Sequence, residues 1–110
     1  MIEVRESEIS GKGMFASVSF LSGATLGWMF RITDSRRDEI EWPRNLKLSD
    51  MCWKVNHQSK PNCRLITDGT EWVLQAKRDI QPDEELTIDY RTLPRFMDRR
   101  IEGFKELVVN

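Results

Sequence analysis

The chain carries one histidine, His57, directly after Asn56 in the run NHQSKPNC at residues 56–63. A single imidazole leaves a zinc site without its other ligands. No serine or cysteine stands in a nucleophile context, which argues against triad chemistry. Beside an asparagine, the histidine reads either as part of a polar network that fixes a loop or as backbone recognition of a heterocycle. Upstream, GKGMFA at residues 11–16 has two glycines one residue apart. Glycine permits positive φ and close approach of backbone to a ligand. The segment follows a strand but opens no helix, so a phosphate cradle fails its own context. An ordinary tight loop and a ligand touching backbone amides both remain. Downstream, DEELTIDY at residues 83–90 ends in Tyr90, the only tyrosine. A strand end after a turn can aim a side chain into a cleft, and a buried hydroxyl needs a partner. The other reading is a core tyrosine with its hydroxyl at the surface. The acidic run Asp83, Glu84 and Glu85 reads as a solvated turn, and nothing in it demands paired-carboxylate catalysis.

Bulk properties narrow the field. At 110 residues the chain is one small domain with one core. Apolar residues make up 39% and charged residues 32%, with four tryptophans and five phenylalanines, which argues against disorder. The net charge of −1 lacks the footprint of a nucleic-acid binder, so no direct nucleic-acid partner is expected. Asp34, Asp38, Glu39 and Glu41 form an acidic cluster, read as a solvated loop or as a surface that attracts a basic peptide. Two cysteines, Cys52 and Cys63, are too few for a disulfide framework, and no metal site is expected. No signal peptide or long apolar run is present, so neither membrane insertion nor secretion is expected. The expectation is an intracellular protein with reduced thiols: cytoplasmic in a bacterial or phage setting, in the host nucleus in a viral one.

The elements that must position these residues are mostly short strands. Residues 1–5 alternate apolar and charged, a half-buried strand. Residues 14–16 and 18–20 read as two short extended pieces, with a turn at Ser22-Gly23. Residues 25–32, TLGWMFRI, form the longest apolar stretch and a core strand. Residues 39–42 read as a further strand ended by Pro43. Residues 45–53 fit one helical turn or irregular structure. Residues 63–67 and 70–76 flank Asp68-Gly69, which predicts a hairpin whose two central residues both take positive φ. Residues 80–83 form a turn and residues 86–89 a strand. From Arg95 on, Met97, Ile101, Phe104 and Val108 follow helical spacing, interrupted by Gly103. The fold class is therefore α+β and β-dominated, with a short C-terminal helix.

In this order, the three motifs resemble the SET domain, the family of protein-lysine methyltransferases. The G-x-G-x-F-A motif is matched by Gly11, Gly13, Phe15 and Ala16. The N-H-S-x-x-P-N motif is matched by Asn56, His57, Pro61 and Asn62, and the E-E-L-T-x-x-Y motif by Glu84 to Thr87 and Tyr90. The resemblance implies a β-clip of small curved sheets with a C-terminal pseudoknot, an exception to the rule against threaded chains. It divides the chain into a core at residues 1–94 and a flanking segment at 95–110 of the same domain. It implies S-adenosylmethionine as cofactor and transfer of a methyl group to a lysine of a histone-like or other basic protein. Lys12, Gly13 and Met14 would line the cofactor through backbone groups. Asn56 and His57 would hold its amino-acid and adenine parts, His57 mainly by backbone and packing. Tyr90 would stand at the methyl-transfer point, and Phe96 or Phe104 would stack on adenine. Trp28, Phe30 and Trp53, with Trp42, are candidates for the channel walls.

The departures from the pattern concern substrate more than cofactor. Gln58 stands where serine is common, and Lys54 where an aromatic or apolar residue is common. The insert ahead of Asn56 is only about twenty residues, and no cysteine-rich zinc tail follows Tyr90. A second subunit in a homodimer is one way to complete the peptide groove; the C-terminal segment folding over the cofactor is another. The alternative function is a SET-like binding module that has lost catalysis.

Overall fold

The computed structural model describes residues 1–34, 39–40 and 42–97. Two antiparallel strands open the chain, β1 (Ile2–Glu6) and β2 (Lys12–Ala16). Their register sets Ile2 opposite Ala16 and Glu6 opposite Lys12. On β2 the side-chain period of two buries Met14 and Ala16 in the core and turns Gly13 and Phe15 to the other face. A four-stranded antiparallel sheet follows, in the order β4 (Leu46–Leu48), β3 (Thr25–Ile32), β7 (Glu71–Ala76), β6 (Cys63–Thr67). Strand β3 has the bounds that its apolar run predicts, and it buries Met29 and Phe30 completely. The third sheet is a parallel pair, β5 (Asn56–His57) with β8 (Thr87–Ile88). Parallel partners need a crossover; here the β6–β7 hairpin and the turn after it separate the two strands.

Several local expectations are corrected. Residues 39–42 do not form a strand: Trp42 begins a turn, and Glu39 and Ile40 are irregular, with Glu41 outside the described residues. The Glu39 carbonyl accepts a hydrogen bond from the Asn45 side-chain amide at 2.6 Å, so it is unavailable to a ladder. The ambiguous residues 45–53 contain both a strand, β4, and a 3-10 turn at Asp50–Trp53. The hairpin after β6 is present, but its loop is wider than two residues. Thr67 pairs with Trp72, and only Gly69 takes positive φ, at 101°. The Asp68 carboxylate accepts from Thr70 N, Thr70 Oγ1 and Glu71 N, all within 3.0 Å, and so orders the wider loop. Of residues 18–20, only Phe20 joins a ladder, through an isolated bridge to Ile80. The C-terminal helix expected from Met97, Ile101, Phe104 and Val108 lies outside the described residues beyond Met97. What precedes it is a 3-10 turn at Arg95–Met97.

The segment between the last turn and Tyr90 ties the sheets together. At residues 81–84, Pro82 precedes Asp83, whose φ is +73°, and Glu84 N donates to Gln81 O at 3.2 Å: a type II turn with aspartate at the position usually taken by glycine. Asp83 N then donates to Ala16 O at 2.7 Å and Leu86 N to Met14 O at 2.8 Å, which zips the segment onto β2. From the other side, the Asn62 side chain donates to Glu85 O at 2.8 Å and accepts from Thr87 N at 2.9 Å. Residues 83–88 are thus held between β2 and the stretch that contains β5. Leu86 and Ile88 point into the core, both fully buried.

Candidate functional site

Alternation along residues 85–88 decides what faces what. Since Leu86 and Ile88 face the core, Glu85 and Thr87 face the opposite way, toward the glycine loop and the two asparagines. Glu85 is therefore no solvated turn residue. Its carboxylate accepts from Ser7 Oγ at 2.8 Å and from Asn56 Nδ2 at 2.8 Å. It also covers Gly13: a Cβ there would lie 2.3 Å from Glu85 Oε2 and 3.2 Å from Ser7 Cβ. The two glycines divide the work. Gly11 makes the turn, with φ +46°, and Gly13 leaves room for the carboxylate.

This contact gives a measurable expectation. The group that Gly13→Ala would displace is the end of a side chain, so the fold can yield there at a cost of about 1–3 kcal/mol. The carboxylate must then leave Asn56 and Ser7. Gly13→Ala is expected to keep a cooperative unfolding transition with a lowered urea midpoint, and an unchanged midpoint would show that the Glu85 latch adds nothing to stability.

Asn56 is 9% exposed, and its Nδ2 has four acceptors within 3.2 Å: Ser7 Oγ, Ser10 O, Lys12 O and Glu85 Oε2. An amide nitrogen has only two protons, so these acceptors fix its orientation without ambiguity. They also turn Oδ1 away, and no described residue donates to it. An accessible acceptor held in place by an otherwise buried side chain is suited to a ligand ammonium group.

His57 faces Tyr90. Its Nδ1 accepts from Tyr90 N at 2.9 Å, and the two rings meet edge-on at 5.4 Å. Burial pulls the imidazole below its ordinary value of 6.5, while Asp89 pulls up and Arg91 down more weakly. The ring is therefore neutral at pH 7, with its proton on Nε2. Below about pH 6.5 the unfolded chain binds a proton that the folded chain refuses, so this group's contribution to stability is present above 6.5 and is lost as pH falls through the folded value. Since the chain has one histidine, its proton NMR titration is a single curve. The midpoint is expected below 6.5, and a midpoint at or above 6.5 would contradict the buried neutral ring.

Tyr90 is 6% exposed and opens a 3-10 turn, Tyr90–Thr92, in which the Arg91 amide is capped by the Asp89 carboxylate. The hydrogen bond of the Arg91 side chain to Asp89 holds that carboxyl below its usual range. The Tyr90 hydroxyl donates to Val55 O at 2.6 Å, so it is not at the surface. With its one proton directed at Val55, the phenolic oxygen can present only lone pairs elsewhere.

The structure brings Gly13, Asn56, His57 and Tyr90 into one connected network through Glu85, Val55 and the β5–β8 pair. The Lys12 carbonyl joins it, while the Lys12 ammonium pairs with Glu6 on the surface. Met14 is a core residue whose carbonyl is occupied by Leu86 N. Phe96 meets Trp72 edge-on at 5.5 Å and Phe30 at 5.9 Å, and Phe30 stacks on Trp72 at 4.9 Å with no exposed surface. Trp28 lies under the Arg31 guanidinium at 4.1 Å. Trp53 is 59% exposed and touches Trp42. The proposed wall residues thus fall into three separate aromatic groups. Phe104 lies outside the described residues. Glu85, Ser7 and Val55 were not singled out from the sequence. The signal for Glu85 was available: alternation with Leu86 and Ile88 points it toward two asparagines that need partners.

A cleft of about 570 Å³ opens beside this network, lined by Glu8, Ile9, Phe15, Gln58, Lys60 and Glu85 among others. Among the described residues no group of three or more His, Cys, Asp and Glu side chains is arranged to hold a metal ion, and no helix is long and apolar enough to cross a membrane.

Comparison with known proteins gives one consistent family. The SET domain profile matches residues 11–91. Histone-lysine N-methyltransferase TRX1 of Oryza sativa subsp. japonica is 44% identical over 68 residues, 58% of this chain and 6% of its own length. The SET domain and MYND-type zinc finger protein 6 of Schizosaccharomyces pombe is 44% identical over 43 residues, 39% of this chain and 9% of its own length. Histone-lysine N-methyltransferase SMYD3 of Homo sapiens is 47% identical over 36 residues, 33% of this chain and 8% of its own length. The chain thus spans less than a tenth of each of these relatives. Among solved structures, a Plasmodium falciparum histone methyltransferase candidate superposes with TM-score 0.63 at 20% identity, covering 86% of this chain and 100% of that one. That likeness concerns the fold.

Proposed function

This chain belongs to the SET-domain family, and from that premise we propose that it is an S-adenosylmethionine-dependent protein-lysine methyltransferase. The observation that carries the reading is the Asn56 side chain, held by Glu85 and the glycine loop with no donor to its Oδ1 among the described residues. S-adenosylmethionine supplies an electrophilic methyl group on a sulfonium and carries an ammonium that such an acceptor would bind.

The chain's own residues would do the rest by alignment. Asn56 fixes the ligand's amino-acid end, and Gly13 keeps the wall thin enough for Glu85 to hold Asn56. The neutral His57 ring ties the Tyr90 backbone to β5. The Tyr90 hydroxyl, committed as a donor to Val55 O, turns its oxygen lone pairs to an incoming amine and holds it in line. A free lysine has a pKa of about 10.4. A dry site beside a positive sulfur lowers that value and favours the neutral amine. The substrate is a protein with an accessible lysine.

Calorimetric titration of S-adenosylhomocysteine tests the reading. One saturable site per chain is expected, and the absence of binding heat from a folded sample would overturn it in favour of a module that has lost catalysis.

A further inference from the structure

Asn56 is oriented more firmly than its amide requires. The Ser10 and Lys12 carbonyls, at 3.1 and 3.2 Å, already match its two Nδ2 protons and set which way the group faces. The Glu85 carboxylate at 2.8 Å therefore adds something besides orientation. What it adds is charge.

That charge is not neutralised by a neighbour. Ser7 Oγ accepts from Ile9 N at 2.9 Å and from Asn56 Nδ2 at 3.1 Å, so its one proton goes to Glu85. Both groups that donate to the carboxylate, a hydroxyl and an amide, are neutral. The cations around it are committed to other carboxylates: Arg5 to Glu3 and Asp83, Lys12 to Glu6, Arg78 to Glu84. Lys60 and Glu8 line the adjoining cleft and are exposed. Among the described residues no cation forms an ion pair with Glu85.

Glu85 is also half-buried, where a charge acts over a longer range than in water. It stands directly behind both proposed ligand contacts. The Gly13 backbone has no room for a Cβ on the carboxylate side, and Asn56 is bonded to the same carboxylate oxygen. S-adenosylmethionine and S-adenosylhomocysteine share their ammonium, carboxylate and adenosine. They differ by one methyl group and by the positive charge on sulfur. We propose that Glu85 is a specificity-determining residue, whose unpaired carboxylate behind Gly13 and Asn56 makes the site prefer the cationic methyl donor to its demethylated product. The inference rests on the methyltransferase reading. Glu85 acts through its field and touches no reacting atom.

Calorimetric titration of both ligands into the wild type, Glu85→Gln and Glu8→Gln tests it. Glutamine keeps an acceptor for Asn56 and Ser7 and removes the charge. The wild type is expected to bind S-adenosylmethionine more tightly than S-adenosylhomocysteine. In Glu85→Gln that preference is expected to fall about fivefold, through weaker binding of the methyl donor. Sinefungin, which carries an amine cation in place of the sulfonium, is expected to follow S-adenosylmethionine. Glu8→Gln removes an exposed charge from the same cleft and is expected to keep the wild-type ratio. A purely structural Glu85 would weaken both ligands alike. An unchanged ratio in a Glu85→Gln chain with wild-type far-UV circular dichroism would overturn the inference. A second measurement needs no variant: the wild-type preference is expected to shrink as salt is raised, and a salt-independent preference would contradict the role of charge. Wild-type chain that binds neither ligand would remove the enzymatic reading itself, whereas equal loss of both ligands in Glu85→Gln removes only this inference.

Discussion

Tyr90→Phe is expected to lower the single-turnover rate of methyl transfer by about a hundredfold or more, while S-adenosylhomocysteine still binds. The variant keeps the ring against His57 and removes only the hydroxyl. Two things are lost together: the oxygen that orients the amine, and the 2.6 Å bond that fixes the Val55 carbonyl. The stability cost of one such hydrogen bond is about 1 kcal/mol, too small to unfold a domain of ordinary stability. A folded Tyr90→Phe chain with wild-type transfer would remove Tyr90 from the mechanism.

Asn62→Ala is expected to produce the largest loss of stability among single substitutions in the site region. Asn62 is 4% exposed, and its side chain holds Glu85 O and Thr87 N. Truncation leaves both backbone groups unsatisfied in a buried setting, at about 1–3 kcal/mol each. Small domains have about 5–15 kcal/mol in all. These two groups belong to the segment that joins β2 to β5, so the loss is expected to appear as a lower urea midpoint for the whole chain. Asn62→Asp keeps the acceptor for Thr87 N but loses the donor to Glu85 O and sets a carboxylate against that carbonyl. It is expected to fall between wild type and Asn62→Ala only if Thr87 carries much of the effect. An unchanged midpoint for Asn62→Ala would mean that β2 and the β5–β8 ladder hold residues 83–88 without the Asn62 side chain.

Long apolar runs were legible in the sequence, and short pairings were not. The eight residues of β3 stand out because Leu26, Trp28, Met29, Phe30 and Ile32 crowd into one run bounded by turn residues. The β6–β7 pair announces itself through Asp68-Gly69, but the choice of loop was made by the Asp68 side chain binding three groups ahead, which a turn dipeptide does not encode. The strand expected at residues 39–42 failed because Asn45, fully buried, takes the Glu39 carbonyl that a ladder would need. The β5–β8 pair has two residues on each side, too few for any alternation to register. Residues 86–89 read as a strand from the sequence, but their pairing with Asn56-His57 did not show there.

The site was legible as a set of residues and not as a geometry. Asn56, His57 and Tyr90 do converge, and His57 packs edge-on against Tyr90 and accepts from its amide. The role of Glu85 depends on a contact between residues 13 and 85, a pairing that local sequence cannot specify. The aromatic residues separate for a related reason: composition shows that they are large and apolar, whereas their grouping into Phe30–Trp72–Phe96, Trp28–Arg31 and Trp42–Trp53 is decided by which sheet edge or turn each one occupies.

Intact-mass spectrometry of a lysine-bearing basic peptide, incubated with the wild-type chain and S-adenosylmethionine, tests the central claim most directly. The expected result is a mass gain of about 14 Da per transferred methyl, mapped to lysine and slowed at least a hundredfold by Tyr90→Phe. An unmodified peptide, from a folded chain that binds the cofactor and the peptide, would contradict it.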